Sequence, residues 1–587
     1  MKTTFFFLVF LLSLGCSSAN LKNLCDPSNS SSYLLMQHLL TSGQSSDACG
    51  ISRAQIYLAP EPTFLLAKDN GIIESGFLIG KVTSETATVE VSLDDSAFFA
   101  AAGNGNWKYS LPSAANTWKL GSLHKISIRS RNKDRLSTTL SINLRKGKNK
   151  DINGDGFPDI IIGSASDDSL LGKINVFLGS ETGFNFSQSS SLITSITGTG
   201  IQSRLGLSIA SGDFNGDGYA DVITGAPRFD LFGGQDGQVY IFYGSLSGIA
   251  SGSASNADTI VSAGVTGGWL GRAVSAGDLN GDGYDEAIIG SYLYSSGQGR
   301  IYIIKGRSTK LVSGNDVAVA DTIITGTAAA RIGESLETGD FNADGFVDLV
   351  SGATEANNGS AAQGRVYIFN GKSIGIVTGD DTTANTILSG TNVSTNSKLG
   401  CALGYGDVNG DGIHDLLMTA CRGNNNGRVY IFHGNKNGIT TANDTSANSI
   451  LTSTKTTGIF GNVLSTADIN GDSISDLLVG SPAVSSSLGE AYIFYASSSG
   501  VSATSETGAD STFTGTTAAG EFGYTLTALD YDADFKTDLL ISSPGGNKDV
   551  LQFFKNTGTG ISGGSDTSAA QKIQGGSGSR FGESLVR

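Results

Sequence analysis

The hydrophobic and polar positions of this chain predict short β-strands along most of its length. Residues 77–82 (FLIGKV), 86–92 (TATVEVS), 107–111 (WKYSL) and 124–129 (HKISIR) alternate apolar and polar side chains with a period of two. Strands of this kind, separated by turn residues, are typical of antiparallel sheets that bury one face. The pattern therefore predicts a small β-sandwich over residues 76–147.

A different pattern begins at Lys148 and repeats to the end of the chain. An acidic segment is followed by a short, wholly apolar strand such as 221–227 (DVITGAP), and then by an alternating strand such as 238–243 (QVYIFY). The acidic segment occurs seven times, at intervals of 61 to 67 residues, beginning at Asp151, Asp213, Asp278, Asp340, Asp407, Asp468 and Asp530. A repeat of about 60 residues suits a four-stranded propeller blade with its loops. Seven copies predict an all-β, seven-bladed β-propeller over residues 148–587.

The acidic segments place oxygen-bearing side chains at positions one, three, five and nine. In the second copy these are Asp213, Asn215, Asp217 and Asp221. Calcium takes six to eight oxygen ligands, and a tight loop can direct alternate side chains to one point. By analogy with other oxygen-ligand loops, position seven offers its carbonyl while its side chain packs inward. The predicted ligands are Asp151, Asn153, Asp155, Phe157, Asp159, Asp213, Asn215, Asp217, Tyr219, Asp221, Asp278, Asn280, Asp282, Tyr284, Glu286, Asp340, Asn342, Asp344, Phe346, Asp348, Asp407, Asn409, Asp411, Ile413, Asp415, Asp468, Asn470, Asp472, Ile474, Asp476, Asp530, Asp532, Asp534, Lys536 and Asp538.

The seven loops are not equivalent, so the sequence predicts up to seven calcium ions. Glycine at position six lets the backbone turn sharply, but Ser473 and Phe535 replace it in copies six and seven. Glu286 replaces the last aspartate in copy three. An alternative reading is a set of metal-free turns, because Asn, Asp and Gly favour turns without any ion. Carboxylates at the same offsets in seven copies favour the calcium interpretation.

The N-terminus carries export signals. Lys2 precedes an apolar run at residues 5–14 that is too short to cross a bilayer and is typical of a signal peptide, predicted as 1–15. Residues 13–16 (SLGC) resemble a bacterial lipobox, which implies acylation of Cys16; the alternative is secretion with Cys16 free. Residues 16–75 are then a lipid-anchored stalk or linker, in which export permits a Cys25–Cys49 disulfide. Cys401 and Cys421 form either a cross-strand disulfide or two buried thiols.

Two resemblances sharpen these predictions. An apolar residue and a glycine precede each later loop by about seven residues, as in Leu205-Gly206 and Phe522-Gly523, and 225–227 reads Gly-Ala-Pro. These repeats resemble the FG-GAP repeats of the propeller at the head of integrin α chains, which carry calcium loops on only some blades. No such pair precedes the first loop, but a further pair, Phe581-Gly582, lies near the end of the chain with no loop after it. The strand at 579–587 is therefore expected to close the ring. Residues 118–130 resemble Ig-like modules of bacterial surface proteins, so the sandwich is expected to be Ig-like.

The composition restricts the function. The net charge of −16 argues against nucleic acid as a partner. The four histidines form no close metal pair, with His124 expected on the surface, and the abundant carboxylates belong to the loops. The sequence therefore predicts a non-enzymatic, monomeric, lipid-anchored protein of the bacterial cell envelope, at the outer membrane or cell surface.

The propeller face opposite the calcium loops is the expected ligand surface, because variable loops on a rigid scaffold usually carry binding. Its candidate segments are residues 228–237, 291–299, 355–364 and 422–427. Adhesion or recognition of an unidentified protein or glycan is the leading function. The alternatives are a lectin, a propeller-bearing hydrolase or lyase, and a purely structural envelope protein.

Overall fold

The computed structural model describes residues 59–586 apart from several short segments. The segments outside the description are 66, 84–86, 113–117, 134, 185–191, 328–329, 357–361, 392–396, 422–425, 457 and 547–548. The predicted signal peptide, Cys16, most of the stalk and the Cys25–Cys49 pair lie outside the described residues. No helix in the described part of the chain is long and apolar enough to cross a membrane.

The first nine strands form two sheets that bury a shared core. One sheet has the order β1-β3-β6 and the other β2-β9-β7-β4-β5, with β8 paired to β7. Val89, Val91, Ile126 and Ile128 point into the core against Trp107, which is 2% exposed. The strands are β1 (Pro62–Phe64), β2 (Gly71–Ile73), β3 (Phe77–Val82), β4 (Thr88–Leu93), β5 (Phe99–Ala100), β6 (Asn106–Ser110), β7 (Leu123–Asn132), β8 (Arg135–Leu136) and β9 (Leu140–Lys146).

Two features of this sandwich differ from the sequence prediction. Strands β1 and β2 lie before residue 76, within the range predicted as stalk, because β1 pairs with β3 and β2 with β9 despite weak alternation in their own sequences. His124 was expected on the surface but is 6% exposed. Its Nδ1 lies 2.7 Å from Asp94 Oδ2, and its ring stacks on Trp118 at 4.1 Å.

The described residues after Lys148 form seven sheets arranged in a ring, and the all-β prediction is confirmed. First strands of neighbouring sheets contact one another and line the centre. From the centre outward, sheet 1 contains β42 (Ser584–Leu585), β10 (Ile160–Ser164), β11 (Lys173–Phe177), β12 (Leu192–Thr197) and β16 (Gly252–Ser253), and sheet 2 contains β13 (Ser208–Gly212), β14 (Asp221–Ala226), β15 (Gln238–Phe242), β17 (Thr259–Ser262) and β21 (Gly314–Asn315). In the same order, sheet 3 contains β18 (Leu270–Gly277), β19 (Glu286–Ser291), β20 (Arg300–Ile304), β22 (Thr322–Thr325) and β26 (Gly379–Asp380), and sheet 4 contains β23 (Ser335–Gly339), β24 (Asp348–Ala353), β25 (Arg365–Phe369), β27 (Thr386–Ser389) and β31 (Ala442–Asn443). Sheet 5 contains β28 (Leu399–Gly406), β29 (Asp415–Ala420), β30 (Arg428–Phe432) and β32 (Ser449–Thr452), sheet 6 contains β33 (Val463–Ala467), β34 (Asp476–Ser481), β35 (Glu490–Phe494), β36 (Ser511–Thr514) and β40 (Gly564–Ser565), and sheet 7 contains β37 (Leu526–Leu529), β38 (Asp538–Ser543), β39 (Val550–Phe554) and β41 (Gln571–Gln574).

Short helices occur in the connections. Several begin with a buried carboxylate that holds the preceding sheet; the Asp316 carboxylate, in the connection between β20 and β22, accepts the Gly264 N–H, just after β17 of sheet 2, at 3.1 Å. The helices are α1 (Asp167–Leu170), α2 (Tyr294–Gly297), α3 (Asp316–Val319) and α4 (Val484–Ser487), with 3-10 turns at Ala254–Asn256, Asp381–Thr383, Asp444–Ser446, Glu506–Gly508 and Asp566–Ser568.

Apolar side chains fill the spaces between neighbouring sheets. One buried cluster occupies each junction, and the cluster between sheets 7 and 1 contains Leu540, Phe553, Phe581 and Leu585. Strand β42 is antiparallel to β10, with Leu585 opposite Ile162. The C-terminal strand therefore belongs to the same sheet as the first strand of the propeller sequence. Strand β42 thus covers the inner edge of β10, which would otherwise be unpaired.

A disulfide joins Cys401 and Cys421, which the sequence left open. Their Cα atoms are 6.1 Å apart at the end of the β28–β29 hairpin that lies farther from the acidic loop.

Candidate metal loops and the opposite face

The seven acidic loops lie at one end of the sheets. Six of them connect the first and second strands of a sheet, and the first loop leads directly into β10. In the second copy, Asp213 Oδ2 accepts the N–H of Gly218 at 2.9 Å, and Oδ1 accepts the N–H of Gly216 at 2.7 Å. Asp217 Oδ1 accepts the N–H of Tyr219 at 3.0 Å. These bonds turn the backbone around the carboxylates. The donor set of Asp, Asn and carbonyl oxygens fits a hard divalent cation.

The position-nine carboxylate also accepts two backbone hydrogen bonds that the sequence did not predict. Asp221 Oδ2 accepts the N–H of Phe214 in its own loop, and Oδ1 accepts the N–H of Gly244 after the third strand, both at 2.9 Å. Asp159, Asp348, Asp415, Asp476 and Asp538 make the equivalent pair of bonds. Position nine therefore fastens the loop to its own sheet. Only the structure shows this, because the second donor lies about 20 residues farther along the chain.

Burial and mutual repulsion raise the pKa of the carboxyls at positions one and nine of the loops. Burial and the neighbouring Asp285 raise the pKa of Asp213 to about 7, and burial raises that of Asp415 and Asp476 to about 7. Burial and Asp278 raise the pKa of Glu286 to about 9. Ionised carboxylates are therefore disfavoured at these positions without a compensating cation.

The seventh loop gathers its carboxylates most closely among the described residues. Oxygen atoms of Asp530, Asp532 and Asp538 lie within 4.8 Å of one another. Asp532 Oδ1 is buried and accepts no hydrogen bond. Lys555 Nζ contacts Asp532 and lies 3.2 Å from Asp534 Oδ2, and these carboxylates raise the lysine pKa. The oxygens of the seventh loop therefore lie close enough together to bind a cation, and Lys555 already supplies part of the positive charge that balances its carboxylates.

The third and sixth loops also carry substitutions, with different consequences. Asn280 in the third loop donates its amide to Glu286 Oε1 at 2.8 Å, whereas the equivalent Asn215 donates to position five, Asp217. The longer side chain of Glu286 therefore redirects a predicted ligand. In the sixth loop Ser473 adopts φ 70° and still donates its N–H to Asp468 Oδ2 at 2.9 Å. The loop shape survives without glycine at a backbone conformation that costs energy.

Position-seven side chains do not all pack inward as predicted. Tyr219 lies against Phe77 of the sandwich, with ring centroids 5.3 Å apart. It also covers Gly154 at position four of the preceding loop, where a Cβ would stand 2.4 Å from the Tyr219 ring. Position seven therefore links neighbouring loops and supports the sandwich.

The sandwich rests on the loop end of the propeller. Ser75 Oγ donates to Asp151 Oδ2 at 2.7 Å, and Lys108 Nζ donates to the Gly154 carbonyl. Lys68 Nζ donates to the Phe535 carbonyl at 3.0 Å, and Lys119 Nζ lies 4.6 Å from the centre of the Phe346 ring. These contacts involve the first, fourth and seventh loops. Cationic sandwich side chains thus face the acidic end of the propeller.

A cavity of about 310 Å³ remains between the sandwich and the centre of the ring. Arg145, Lys146 and Lys148 line it from the sandwich side, with Asp407 and His414 across from them. Burial and the nearby Lys148 and Arg145 lower the pKa of His414 to about 4, and its Nδ1 accepts the Asp340 N–H at 3.1 Å. His414 is therefore neutral and structural at physiological pH. Asp407 Oδ1 is buried without a hydrogen-bond donor.

The other end of the sheets carries the predicted ligand segments. Residues 228–237 follow the end of β14, and residues 291–299 follow β19, at the ends away from the acidic loops. Parts of the segments at 355–364 and 422–427 lie outside the described residues. In the first segment Phe232 is 61% exposed, and its N–H donates to the buried Asp236 at 2.6 Å. This loop therefore presents an apolar ring from a fixed backbone.

Comparison with known families identifies the repeat. The FG-GAP repeat matches residues 205–242, 270–304, 332–369 and 522–562, and the FG-GAP-like repeat matches 407–479. The propeller contains FG-GAP repeats. Integrin alpha-5 of Xenopus laevis is 30% identical over 226 residues, covering 37% of this chain and 20% of that protein. Phosphatidylinositol-glycan-specific phospholipase D of Homo sapiens is 33% identical over 229 residues, covering 37% and 26%.

The similarity is confined to part of these relatives, because the chain spans about a fifth to a quarter of their length. Among solved structures, the Dos1 propeller aligns with 72% of this chain and 90% of its own at 12% identity and a TM-score of 0.30. The FG-GAP propeller is thus similar to a segment of an integrin and to a segment of a phospholipase.

Proposed function

We propose that this chain is a calcium-stabilised, lipid-anchored adhesion or ligand-binding protein of the cell envelope. The observation that supports this most strongly is the position of the sandwich. It rests on the acidic loops, for example through Ser75 and Lys108, and so covers the loop end. The opposite end offers exposed loops on a rigid ring, which is the usual arrangement of a binding scaffold.

Calcium is proposed for the loops on the basis of their donor set and electrostatics. Buried oxygens of Asp407 and Asp532 accept no hydrogen bond, and burial raises the pKa of several loop carboxyls. Bound calcium would supply the positive charge that keeps these carboxylates ionised. The side chains at positions one, three, five and nine would hold it, with the position-seven carbonyl. Its proposed role is structural, because it would stiffen loops that the position-nine carboxylates fasten to their own sheets in six of the seven copies.

The calcium proposal is tested by elemental analysis and thermal melting of the full chain. The expected results are several equivalents of bound calcium and a large fall in Tm after treatment with EDTA, restored by added calcium. Binding only to the folded state explains such a shift by mass action. An unchanged Tm in EDTA together with no bound calcium would reject the proposal.

The adhesion proposal is tested by masking one face at a time. Beads coated with the protein are assayed for attachment to purified extracellular proteins and to intact cells. Leu231→Cys, labelled with a maleimide polymer, blocks the end opposite the loops, and Ser247→Cys carries the same polymer at the loop end. Both positions are exposed. We expect attachment to be lost with the label at 231 and kept with the label at 247, relative to wild-type protein treated identically. Equal loss or equal retention contradicts the proposal.

The lipid anchor is tested separately at Cys16. Cys16→Ser should release the protein from the membrane fraction and abolish incorporation of radiolabelled palmitate. Membrane association that survives this substitution would mean that another feature holds the protein.

A further inference from the structure

A group of arginine and aromatic side chains lies on the end of the propeller opposite the acidic loops. These residues occupy the turns where first strands begin and second strands end in sheets 2, 3 and 4. We call this group the arginine–aromatic surface; its members are Arg204, Arg228, Trp269, Arg272, Tyr292 and Arg331.

Two of the cations lie over the two aromatic rings of this surface, and the rings contact each other. Arg228 Cζ lies 4.5 Å from the centre of the Trp269 ring, and Trp269 meets Tyr292 edge-on with centroids 5.8 Å apart. Arg331 Cζ lies 5.7 Å from the Tyr292 ring centre. Cations over aromatic rings are held in place by the ring quadrupole. The guanidinium groups of Arg228 and Arg331 are therefore positioned by the rings beneath them.

Three of these guanidinium groups are not neutralised by an ion pair. In the part of the chain that the structure describes, Arg331 pairs with Glu355 at 3.3 Å, whereas Arg204, Arg228 and Arg272 form no ion pair with a carboxylate. The Nε atoms of Arg204 and Arg228 are buried and have no hydrogen-bond acceptor among the residues that the structure describes. Glu334 and Glu583 lie close enough to interact electrostatically with this region. Although the whole chain carries a net charge of −16, these three arginines lie together at one end of the propeller without an ion pair to a described carboxylate.

The exposed apolar neighbours distinguish between classes of ligand. Leu231, Phe232 and Val265 are 38%, 61% and 36% exposed. Asp236 ties their two loops together, since its carboxylate accepts N–H groups from Phe232 and from Gly267, two residues before Trp269. Arg228 stands over the Trp269 ring and Arg331 over the Tyr292 ring, which leaves less of these two rings open for stacking by a sugar. Guanidinium groups beside apolar side chains suit a protein segment better.

We propose that the arginine–aromatic surface binds acidic side chains presented next to apolar residues on a protein partner. This inference rests on the proposed ligand-binding function and specifies the chemistry of the ligand. Arginine pairs with a carboxylate through two parallel N–H···O bonds, which gives both orientation and strength. Leu231, Phe232 and Val265 receive the apolar neighbour and exclude water from the charged contact.

The test measures binding of fluorescein-labelled peptides to the full chain in calcium by fluorescence anisotropy. The probe is Ser-Glu-Leu-Asp-Phe-Glu-Ser-Gly, its control has Gln and Asn in place of the acids, and heparin represents sulfated glycans. Arg228→Gln and Arg272→Gln should each weaken acidic-peptide binding about tenfold, as expected for loss of one charge-assisted contact. Phe232→Ser should weaken it several-fold. The matched control is Arg307→Gln, because Arg307 lies on the loop end in an exposed ion pair with Asp321.

Each outcome decides the inference once equal Tm values show that the variants fold. Selective binding of the acidic peptide, weakened by both arginine substitutions and not by Arg307→Gln, supports it. Equal binding of the amide peptide, binding of heparin alone, or no effect of either substitution overturns it. Bead attachment is measured with the same variants. Attachment that is blocked by the label at 231 but unaffected by both arginine substitutions leaves the proposed function standing and rejects this inference.

Discussion

Ser75 Oγ in the sandwich donates a 2.7 Å hydrogen bond to Asp151 Oδ2 in the first acidic loop of the propeller. Both residues are buried, so this bond is shielded from water and joins the two domains directly. The same carboxylate oxygen accepts the N–H of Gly156 at 2.8 Å. The sandwich is therefore part of the environment of the first loop.

Ser75→Ala should destabilise the protein by about 1–2 kcal/mol, because a buried charged acceptor loses a donor. Urea denaturation in calcium measures the change. Thr63→Ala is the control, since the Thr63 hydroxyl makes only an exposed 3.3 Å bond to the Lys81 carbonyl. Equal effects of the two substitutions would contradict the role assigned to Ser75.

The pH dependence of the free energy of unfolding should differ between the calcium-free and the calcium-bound protein. In the metal-free protein the folded pKa values of Asp213, Asp415 and Asp476 are about 7, above those of unfolded aspartate. The folded state then binds more protons than the unfolded state between about pH 4 and 7, so the free energy of unfolding rises as the pH falls through this range. Bound calcium keeps the carboxylates ionised in the folded state, as they already are in the unfolded state above about pH 5, so this pH dependence is lost in the calcium-bound protein.

Thermal melts at pH 5.5, 6.5 and 7.5, in EDTA and in calcium, measure this effect. We expect Tm to rise on acidification in EDTA and to change little with pH in calcium. Parallel curves in the two buffers would show that calcium does not act on these carboxyls.

The propeller could be predicted from sequence because each repeat carries its own local signals. The Asp213–Asp221 spacing, the Leu205-Gly206 pair and the apolar second strand all lie within one repeat, and FG-GAP repeats are confirmed. The contacts between the sandwich and the propeller could not be predicted, because Ser75 and Asp151 are 76 residues apart and no sequence motif relates them. Position nine was predicted as a ligand, but its bond to a distant backbone N–H has no sequence signal.

Lys555→Met should increase the calcium affinity of the seventh loop. Lys555 Nζ contacts Asp532 and Asp534, so a cation entering this loop must displace a positive charge that the loop already holds. Removing one competing charge should strengthen binding several-fold at low ionic strength. Isothermal titration calorimetry on the EDTA-treated protein measures it. Lys572→Met, on the exposed side of β41, is the control, and an equal gain in both variants would refute competition by Lys555.

Ser473→Gly should stabilise the protein. Ser473 holds φ 70°, a left-handed conformation that costs a non-glycine residue roughly 1 kcal/mol. Glycine keeps the N–H bond to Asp468 Oδ2 and removes this cost, although its greater freedom in the unfolded chain offsets part of the gain. The expected net gain is about 0.5 kcal/mol by urea denaturation. Ser475→Gly, two residues away and outside the left-handed region, should instead lose stability; a loss in both variants would contradict the assigned strain.

Deleting residues 579–587 should destabilise the whole propeller. Strand β42 supplies the inner strand of sheet 1, and Phe581 and Leu585 are buried between sheets 7 and 1. Losing two large apolar side chains from this junction costs about 5 kcal/mol by burial alone, and the deletion also exposes the edge of β10. The Tm of the truncated chain should fall by many degrees, with a single transition, because each sheet is held by its neighbours around the ring. The conservative variant Leu585→Ala should cost about 2–4 kcal/mol and keep the ring closed. A truncated chain that melts at the full-length temperature would mean that the ring does not depend on its last strand.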